Sequence, residues 1–407
     1  MTTSPEILKP PVITTGPIGW IRANLFSTRL NALLTVVTIA LLYLLLRPAL
    51  TWLFFDAEWA AVTSNLKLFA VGQYPLDEMW RVGVVVLIVS LLAGLSWRVW
   101  SGVARTFARA AGVIFVAMAF VPLSLDSLGV EPRLWILANP FVIGLGYLLA
   151  RVINVPPGRL VISWAAAFVL VLILLRGFGW MPGLPEVRTT QLGGLMLTIL
   201  LSVVGIVASF PLGVLLALGR RSSLPSVSMF CTLFIELIRG VPLITLLFMT
   251  QIILPLVLPQ DTFLDFIVRD RVMRAFVAIT VFSAAYMAEN VRGGLQSVPL
   301  GQIDAAKALG LNGFNVTVFI VLPQALRAVI PAIVGQLITL LKDTSLVAIV
   351  ALLDIVGIGR SIILGNVEWR GSQREVYLFL AAVFWIFTYS MSYASRKLEE
   401  ALGVGRR

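Results

Sequence analysis

The chain has 407 residues, of which 59% are hydrophobic and only 13% are charged, and its mean hydropathy is +0.97. Soluble domains carry about 25% charged residues, so this composition excludes an ordinary soluble domain and indicates a protein of the lipid bilayer. The net charge of +11 fits basic loops beside a membrane better than a nucleic-acid partner. A single cysteine, Cys231, excludes an intrachain disulfide, and the lack of histidine argues against a histidine base or a zinc cluster.

The apolar runs, taken in chain order, predict about ten membrane-spanning helices of roughly 20 residues each. The first run begins near Leu30 and no small-residue cleavage pattern follows it, so we expect an uncleaved span rather than a signal peptide. Lipid requires each segment to satisfy its own backbone polar groups, which predicts an all-α polytopic membrane protein. The predicted spans are 30–54, 80–97, 108–124, 134–150, 159–176, 191–218, 228–257, 273–292, 327–343 and 376–396.

The distribution of charge between these spans predicts their orientation. If the N-terminus is cytoplasmic and the spans alternate, the excess of basic residues falls on the cytoplasmic segments, as the positive-inside rule expects. We therefore expect both termini in the cytoplasm. The residues that carry the excess are Arg98, Arg105, Arg109, Arg220, Arg221, Arg396, Lys397, Arg406 and Arg407.

A run of helix-breaking residues, Gly177–Pro185, divides the chain near residues 177–190. Residues 1–180 are interpreted as an N-terminal transmembrane extension of about five spans, for which a scaffold is the simplest role. Residues 190–400 form a core of about five spans, with polar loops and with charges at membrane depth. The core is therefore the half in which we expect the functional residues.

The loop after the eighth predicted span, residues 297–327, predicts a short helix outside the membrane. Residues 302–309 favour a helix, Pro299 precedes it as a start signal, and Gly310 suits the left-handed position at a helix C-terminus. The small side chains of Ala305 and Ala306 allow another surface to approach closely. These features predict a docking element.

The same loop resembles the EAA loop of ABC importer permeases. Asp304–Ala305–Ala306, Gly310 and the Ile320–Pro323 segment keep the spacing of that motif, with Asp304 in place of glutamate and its charge retained. In that family the loop forms a coupling helix that seats in a cleft of the ATP-hydrolysing subunit. The alternative is a solvated helix with chance matches. The resemblance implies that the coupling residues are Asp304, Ala305, Ala306, Leu309, Gly310 and Leu311.

Segments on both sides of this loop resemble the polar amino-acid permeases of that family, so the resemblance covers about residues 190–400. The long apolar extension is similar to the general amino-acid permeases of the Aap, Bzt and Nat kind, which usually work as a pair of different permeases. The segments are Leu197–Ile199, Pro211–Gly213, Arg220–Ser222, Glu236–Leu243, Ala285–Pro299 and Lys342–Leu346.

The resemblance implies a type I ABC importer transmembrane domain in a bacterial inner membrane, working by alternating access. The implied partners are an ATP-binding cassette subunit, a second related permease subunit, and a periplasmic or extracellular amino-acid-binding protein. ATP and Mg would bind to the cassette subunit, so this chain needs no cofactor and is not an enzyme. The sequence fits this division of labour, because it contains no phosphate-binding G-x-x-x-x-G-K-[S/T] loop.

Glu236, Arg239 and Glu289 are predicted at membrane depth, where an uncompensated charge costs roughly 2.5–3.5 kcal/mol. They should therefore face protein and be paired. Glu236 and Arg239 lie three apart, so one interpretation pairs them along one helix; another pairs Arg239 with Glu289 across helices. A functional interpretation makes these residues part of a gate. The Gly240–Pro242 step frees backbone groups within its span and is a candidate marker of the pathway.

A polar substrate needs hydrogen-bonding groups near the middle of the membrane. Each candidate taken alone also fits an interhelical hydrogen bond, and together they form the predicted pathway lining. The candidates are Thr245, Thr250, Gln251, Ser283, Tyr286, Gln336 and Thr339.

Two other function classes compete with an importer permease. A stand-alone secondary transporter or channel would need no ATPase partner, and the EAA-like loop argues against it. A membrane-embedded enzyme would need a nucleophile, a base and an orienting group in one place, and no loop supplies that set. The dispersed basic residues carry no nucleic-acid motif.

Overall fold

The computed structural model describes residues 16–100, 102–120, 132–181, 183–258 and 265–402. The chain divides into two compact units, residues 1–59 and 60–407. In the first unit, α1 (Pro17–Asn24) precedes α2 (Arg29–Thr51), whose first turn is capped by the Thr28 hydroxyl accepting from the Asn31 amide at 3.1 Å. No residue of α2 is buried, although the helix is apolar.

The described part of the second unit consists of helices, short 3-10 and π segments, and the loops that connect them. The helices before residue 181 are α3 (Ala60–Thr63), α4 (Leu66–Val71), α5 (Met79–Trp100), α6 (Gly102–Phe120), α7 (Pro132–Ile153) and α8 (Pro157–Arg176). The later helices are α9 (Gly194–Arg220), α10 (Pro225–Gly240), α11 (Leu243–Phe248), α12 (Leu254–Val257), α13 (Asp265–Arg269), α14 (Arg271–Ser297), α15 (Leu300–Ala308), α16 (Gly313–Asn315), α17 (Leu322–Asp343), α18 (Ile355–Gly365) and α19 (Gln373–Leu402).

The described residues hold nine helices that are long and apolar enough to cross a membrane, or ten if one bent pair counts as a single span. Each of the ten predicted spans coincides with one of these, which confirms an all-α polytopic membrane protein. The ninth was predicted too short, because continuous 3-10 and π segments extend it to Gly313–Val350. Residues 121–124 of the third predicted span lie outside the described residues.

The seventh predicted span is broken rather than straight. Helix α10 ends at Gly240 and α11 begins at Leu243, with 105° between the two segments. Pro242 has no amide hydrogen and forces the residue before it out of the helical region, and Val241 is accordingly extended at φ −108° and ψ 132°. The Gly240–Pro242 step therefore ends one helix and starts another.

Helices α9 and α14 form the centre of the core, and they run side by side in the same direction. A Cβ atom added to Gly205 would lie 2.7 Å from Ile279, and one added to Gly213 would lie 2.6 Å from Met287. Small residues at a helix interface let two backbones approach closely, which is how helices associate in lipid. These two glycines therefore fix the register between α9 and α14.

The breaker segment after α8 is tied to α5 by a fully buried arginine. The Arg81 guanidinium lies 2.7 Å from the Glu78 carboxylate and donates to the carbonyls of Pro185 at 2.9 Å and Leu174 at 3.4 Å. Gly177 has φ +70°, and a Cβ there would lie 2.3 Å from the Pro185 oxygen. The segment is thus a folded connection inside one compact unit, and the functional division between residues 1–180 and 190–400 stays a prediction.

Asp354 caps the start of α18, and the next residue, Ile355, connects it to the start of α9. Its Oδ1 accepts from the Gly357 amide at 2.9 Å, and the Ile355 amide donates to the Thr198 hydroxyl at 3.2 Å. The carboxyl group is fully buried, and Oδ2 has no hydrogen-bond partner in the described part of the chain. Burial raises the pKa of Asp354 to about 7, although backbone amides that donate to it pull the pKa down.

Replacing Arg81 should destabilise the protein strongly, because Arg81→Met leaves the Glu78 carboxylate without its partner in the interior. We expect the free energy of unfolding, measured by denaturant titration in detergent, to fall by about 3–5 kcal/mol. Arg176→Met is the matched control: it removes an exposed ion pair to Glu186, 3.3 Å long, and should cost less than about 1 kcal/mol. Equal losses in the two variants would contradict this role of Arg81.

The raised pKa of Asp354 predicts stability that depends on pH. The folded protein binds this proton more tightly than the unfolded chain, since the folded pKa of about 7 exceeds the ordinary 3.8. The contribution of the Asp354 carboxyl group to the free energy of unfolding is therefore complete below pH 3.8 and is lost as pH rises through 7. We expect the melting temperature of the wild type to fall between pH 5 and 8 relative to Asp354→Asn, which keeps a capping oxygen; parallel profiles would refute the prediction.

Candidate functional site: the α15 surface and an arginine–glutamate cluster

Helix α15 is a short helix with a defined start and a defined end. It begins after Pro299 and ends in a left-handed Gly310 with φ +84°. The Gly310 amide donates to the Lys307 carbonyl at 2.9 Å and the Leu311 amide donates to the Ala306 carbonyl at 3.2 Å, which is the Schellman pattern of helix termination. The predicted helix over 302–309 is confirmed, and it starts two residues earlier at Leu300.

One face of α15 packs on its own chain. Ala306 is buried, and Ile303 and Leu311 pack against the same cluster, which includes Leu295 of α14 and Ala325 of α17. Residues three apart on a helix share a face, so Ile303 and Ala306 turn inward together. The sequence predicted that Ala305 and Ala306 both face outward. Ala305 is exposed, but the prediction is wrong for Ala306, which packs against the rest of the chain.

The opposite face of α15 is open. Asp304, Ala305 and Gly310 are exposed, and Leu309 is 83% exposed. Two further apolar side chains accompany it: Leu300 is 75% exposed and Phe314 is 72% exposed. Exposed apolar side chains among polar ones are typical of a protein interaction site. Sequence reasoning missed Leu300 and Phe314, although large apolar residues in a polar loop were an available signal.

Glu289 is the centre of a cluster of ion pairs that joins α9, α10 and α14. Its carboxylate lies 3.4 Å from Arg220 and 3.5 Å from Arg239, and it accepts two hydrogen bonds from Arg292, of which the Nε bond is 2.9 Å long. Arg220 also pairs with Glu236 at 3.0 Å. Three arginines against two glutamates leave the cluster with a net positive charge.

The structure distinguishes the two pairings that the sequence left open. Glu236 pairs with Arg220 of α9, and Arg239 pairs with Glu289 of α14, so both acidic residues are neutralised across helices rather than along α10. The sequence assigned Arg220 to a loop, whereas it is the last residue of α9. Arg292 was not singled out, although its position three residues after Glu289 was a usable signal.

The seven predicted pathway residues lie in different surroundings. Tyr286 lies beside the cluster, with the Arg239 guanidinium 5.6 Å from its ring centre. Gln251 donates to the Arg271 carbonyl at 2.8 Å and accepts from Arg274 at 3.3 Å. The hydroxyls of Thr250 and Thr339 donate to carbonyls of their own helices, at 3.0 and 3.2 Å.

The remaining three differ in burial. Ser283 is fully buried, and its hydroxyl has no hydrogen-bond partner within the described residues. Gln336 is half-buried and Thr245 is exposed. The role of all seven as a pathway lining stays a prediction.

A double-mutant cycle measures the pairing within the cluster. We expect Arg239→Ala and Glu289→Ala to couple by at least about 1 kcal/mol in the free energy of unfolding, because the two charges are in contact. The comparison cycle between Glu236→Ala and Arg239→Ala, which are linked only through Arg220 and Glu289, should give the smaller coupling. The reverse order of the two couplings would contradict the cross-helix arrangement.

Comparison with known proteins places the chain in a family. Residues 209–403 match the model of the binding-protein-dependent transport system inner membrane component. The chain is 36% identical over 405 residues to the inner membrane amino-acid ABC transporter permease protein YhdY of Escherichia coli K12, with 95% of this chain and 93% of that protein covered. It is 34% identical to the glutamate/glutamine/aspartate/asparagine transport system permease protein BztC of Rhodobacter capsulatus, with 98% and 97% covered.

Among solved structures, a crystal structure of an amino acid ABC transporter with histidines matches with a TM-score of 0.45 and 25% identity, covering 51% of this chain and 92% of that one. The similarity to the two curated permeases extends over nearly the whole chain and includes the N-terminal extension. It favours a permease subunit over a stand-alone secondary transporter. The chain is a multi-pass membrane protein that belongs to the family of binding-protein-dependent ABC transporter permeases.

Proposed function

We propose that this chain is the translocation subunit of an ATP-driven importer of amino acids. The observation that carries the proposal is α15, a terminated helix with an open outer face, in the loop that keeps the EAA spacing. The names of the two full-length relatives support amino acids as the substrate class. Selection among amino acids is then shared with a separate binding protein.

The proposed partners are an ATP-binding cassette subunit, a second related permease and an amino-acid-binding protein outside the membrane. The cassette subunit would contact the open face of α15 and would itself bind ATP and Mg, so that this chain is not an enzyme. Asp304, Ala305, Leu309 and Gly310 would make the contact, while Ala306 and Leu311 hold the helix in place. Leu300 and Phe314 are exposed as well and are proposed to add to the contact.

The proposed location is the bacterial inner membrane, with both termini in the cytoplasm. The Arg221 guanidinium donates to the Leu295 carbonyl at 3.3 Å, so the end of α9 lies beside the end of α14, just before α15. Several arginines therefore gather at the end of the helices that carries the proposed cassette contact. This agrees with the positive-inside rule.

The packing of α15 supports a mechanical role in alternating access. Ala306 and Leu311 join it to the end of α14 and to the segments around Val316 and Ala325. Because packed interiors move as units rather than deform, a displacement of α15 would move α14 and α17 with it. The cluster at Glu289 would pass that movement to α9 and α10.

Ala305→Arg should uncouple transport, because a long cation on the open face obstructs the proposed cassette contact. We expect amino-acid uptake and substrate-stimulated ATPase activity of the reconstituted transporter to fall at least tenfold, with membrane insertion unchanged. Gly310→Asp should act in the same direction, since it also strains a left-handed position by roughly 1–2 kcal/mol.

Ala305→Ser is the control for this experiment: it changes the same exposed position without adding a long or charged side chain. It should keep most of the activity. Normal uptake by Ala305→Arg with full ATPase stimulation would refute the coupling role of α15.

A further inference from the structure

A cavity of about 520 Å³ lies between α5, α8 and α9, with α4 at one end. It is separate from α15 and from the arginine–glutamate cluster. Its lining is built from aliphatic and aromatic side chains, and the one indole NH among them, that of Trp164, donates to the Ser96 hydroxyl at 3.0 Å. The cavity therefore offers a ligand no hydrogen-bonding group.

The cavity lies within membrane spans and is about one lipid leaflet deep. On α9 the lining runs from Leu195 to Val203 and on α5 from Val82 to Val89, which at 1.5 Å per residue is about 10–12 Å. Half of a hydrocarbon core of roughly 30 Å is about 15 Å. The lining thus begins near the ends of these helices and reaches the level of the bilayer centre.

The cavity has a closed back and an open side. Leu175 and Leu200 are buried, whereas Val89 is 43% exposed and Val203 is 38% exposed. The opening at mid-helix depth faces hydrocarbon rather than water. Water has no polar partners in such a space, and an empty space would deprive its lining of dispersion contacts.

Two cations neighbour, along their own helices, residues that line the cavity near the helix ends. Arg176 follows directly after the lining residue Leu175, is half-exposed, and pairs with the Glu186 carboxylate at 3.3 Å. Lys67 lies one helical turn before Ala70, which lines the cavity from α4. Lys67 and Arg176 against the one carboxylate of Glu186 leave a net positive charge, which favours a phosphate at this level, while the apolar space continues from there toward the bilayer centre.

We propose that this cavity binds one acyl chain of a phospholipid, with the headgroup phosphate beside Lys67 and Arg176. The lipid joins the helices of the N-terminal extension, α5 and α8, to the first helix of the core, α9. It forms a bound component of the transporter rather than part of the exchanging bilayer.

The test compares two tryptophan substitutions on α8, two residues apart. Val171 lines the cavity, whereas Val169 is 54% exposed and does not line it. The assembled transporter is purified from its membrane, washed exhaustively with detergent, and analysed for retained phospholipid by native mass spectrometry. We expect the wild type and Val169→Trp to retain one phospholipid per transporter. In Val171→Trp, the fraction of transporters that retain it should be at least fivefold lower. Equal retention in both variants, or none in the wild type, would overturn the proposal.

A second measurement applies even if Val171→Trp fails to assemble. One phospholipid with brominated acyl chains is added per delipidated transporter, and the tryptophan fluorescence of the wild type is compared with that of Trp164→Phe. Binding in the cavity predicts quenching that the wild type shows and Trp164→Phe lacks. Identical quenching in the two proteins would show that the lipid binds elsewhere and would overturn the proposal.

Discussion

The parallel packing of α9 against α14 is the contact on which the rest of the core depends. Helix α14 is the most deeply buried of the candidate spans in the described residues, with 61% of its most apolar window inside the protein. Apolar side chains gain little by leaving lipid for protein, so close backbone approach at Gly205 and Gly213 has to supply the attraction. The same register brings the end of α9 to the last turns of α14, where Arg220 meets Glu289.

This arrangement connects the arginine–glutamate cluster and α15 through the last turns of α14. Glu289 joins three helices by ion pairs, and Leu295, two turns further along α14, lies in the apolar cluster that holds α15. One contact is polar and directional and the other is apolar and close-packed. Both contacts lie on the last three turns of α14, and Ala217 of α9 and Ile235 of α10 belong to the same apolar cluster.

The sequence predicts those features that depend on local chemistry. Hydropathy located every span, because a bilayer imposes length and apolarity on each helix separately. Gly310 and Pro299 located the ends of α15, and Pro242 located a break, because each acts on its own backbone. Three other features depend on which helices are neighbours. Ala306 is buried rather than exposed, Arg220 belongs to the ion-pair cluster, and Arg239 pairs with Glu289 rather than with Glu236. No local pattern contains that information.

The break at Val241 has one further consequence. In a continuous helix, any change of axis direction must stretch or sever backbone hydrogen bonds along the bend. Between Gly240 and Leu243 the helical hydrogen bonds are interrupted: Val241 is extended and its amide donates only to the Ile238 carbonyl at 3.4 Å, and Pro242 has no amide hydrogen. Helices α10 and α11 are thus two separate helices connected by Val241 and Pro242. A rotation of one helix axis relative to the other is opposed by backbone torsion and by the side chains packed around these two residues.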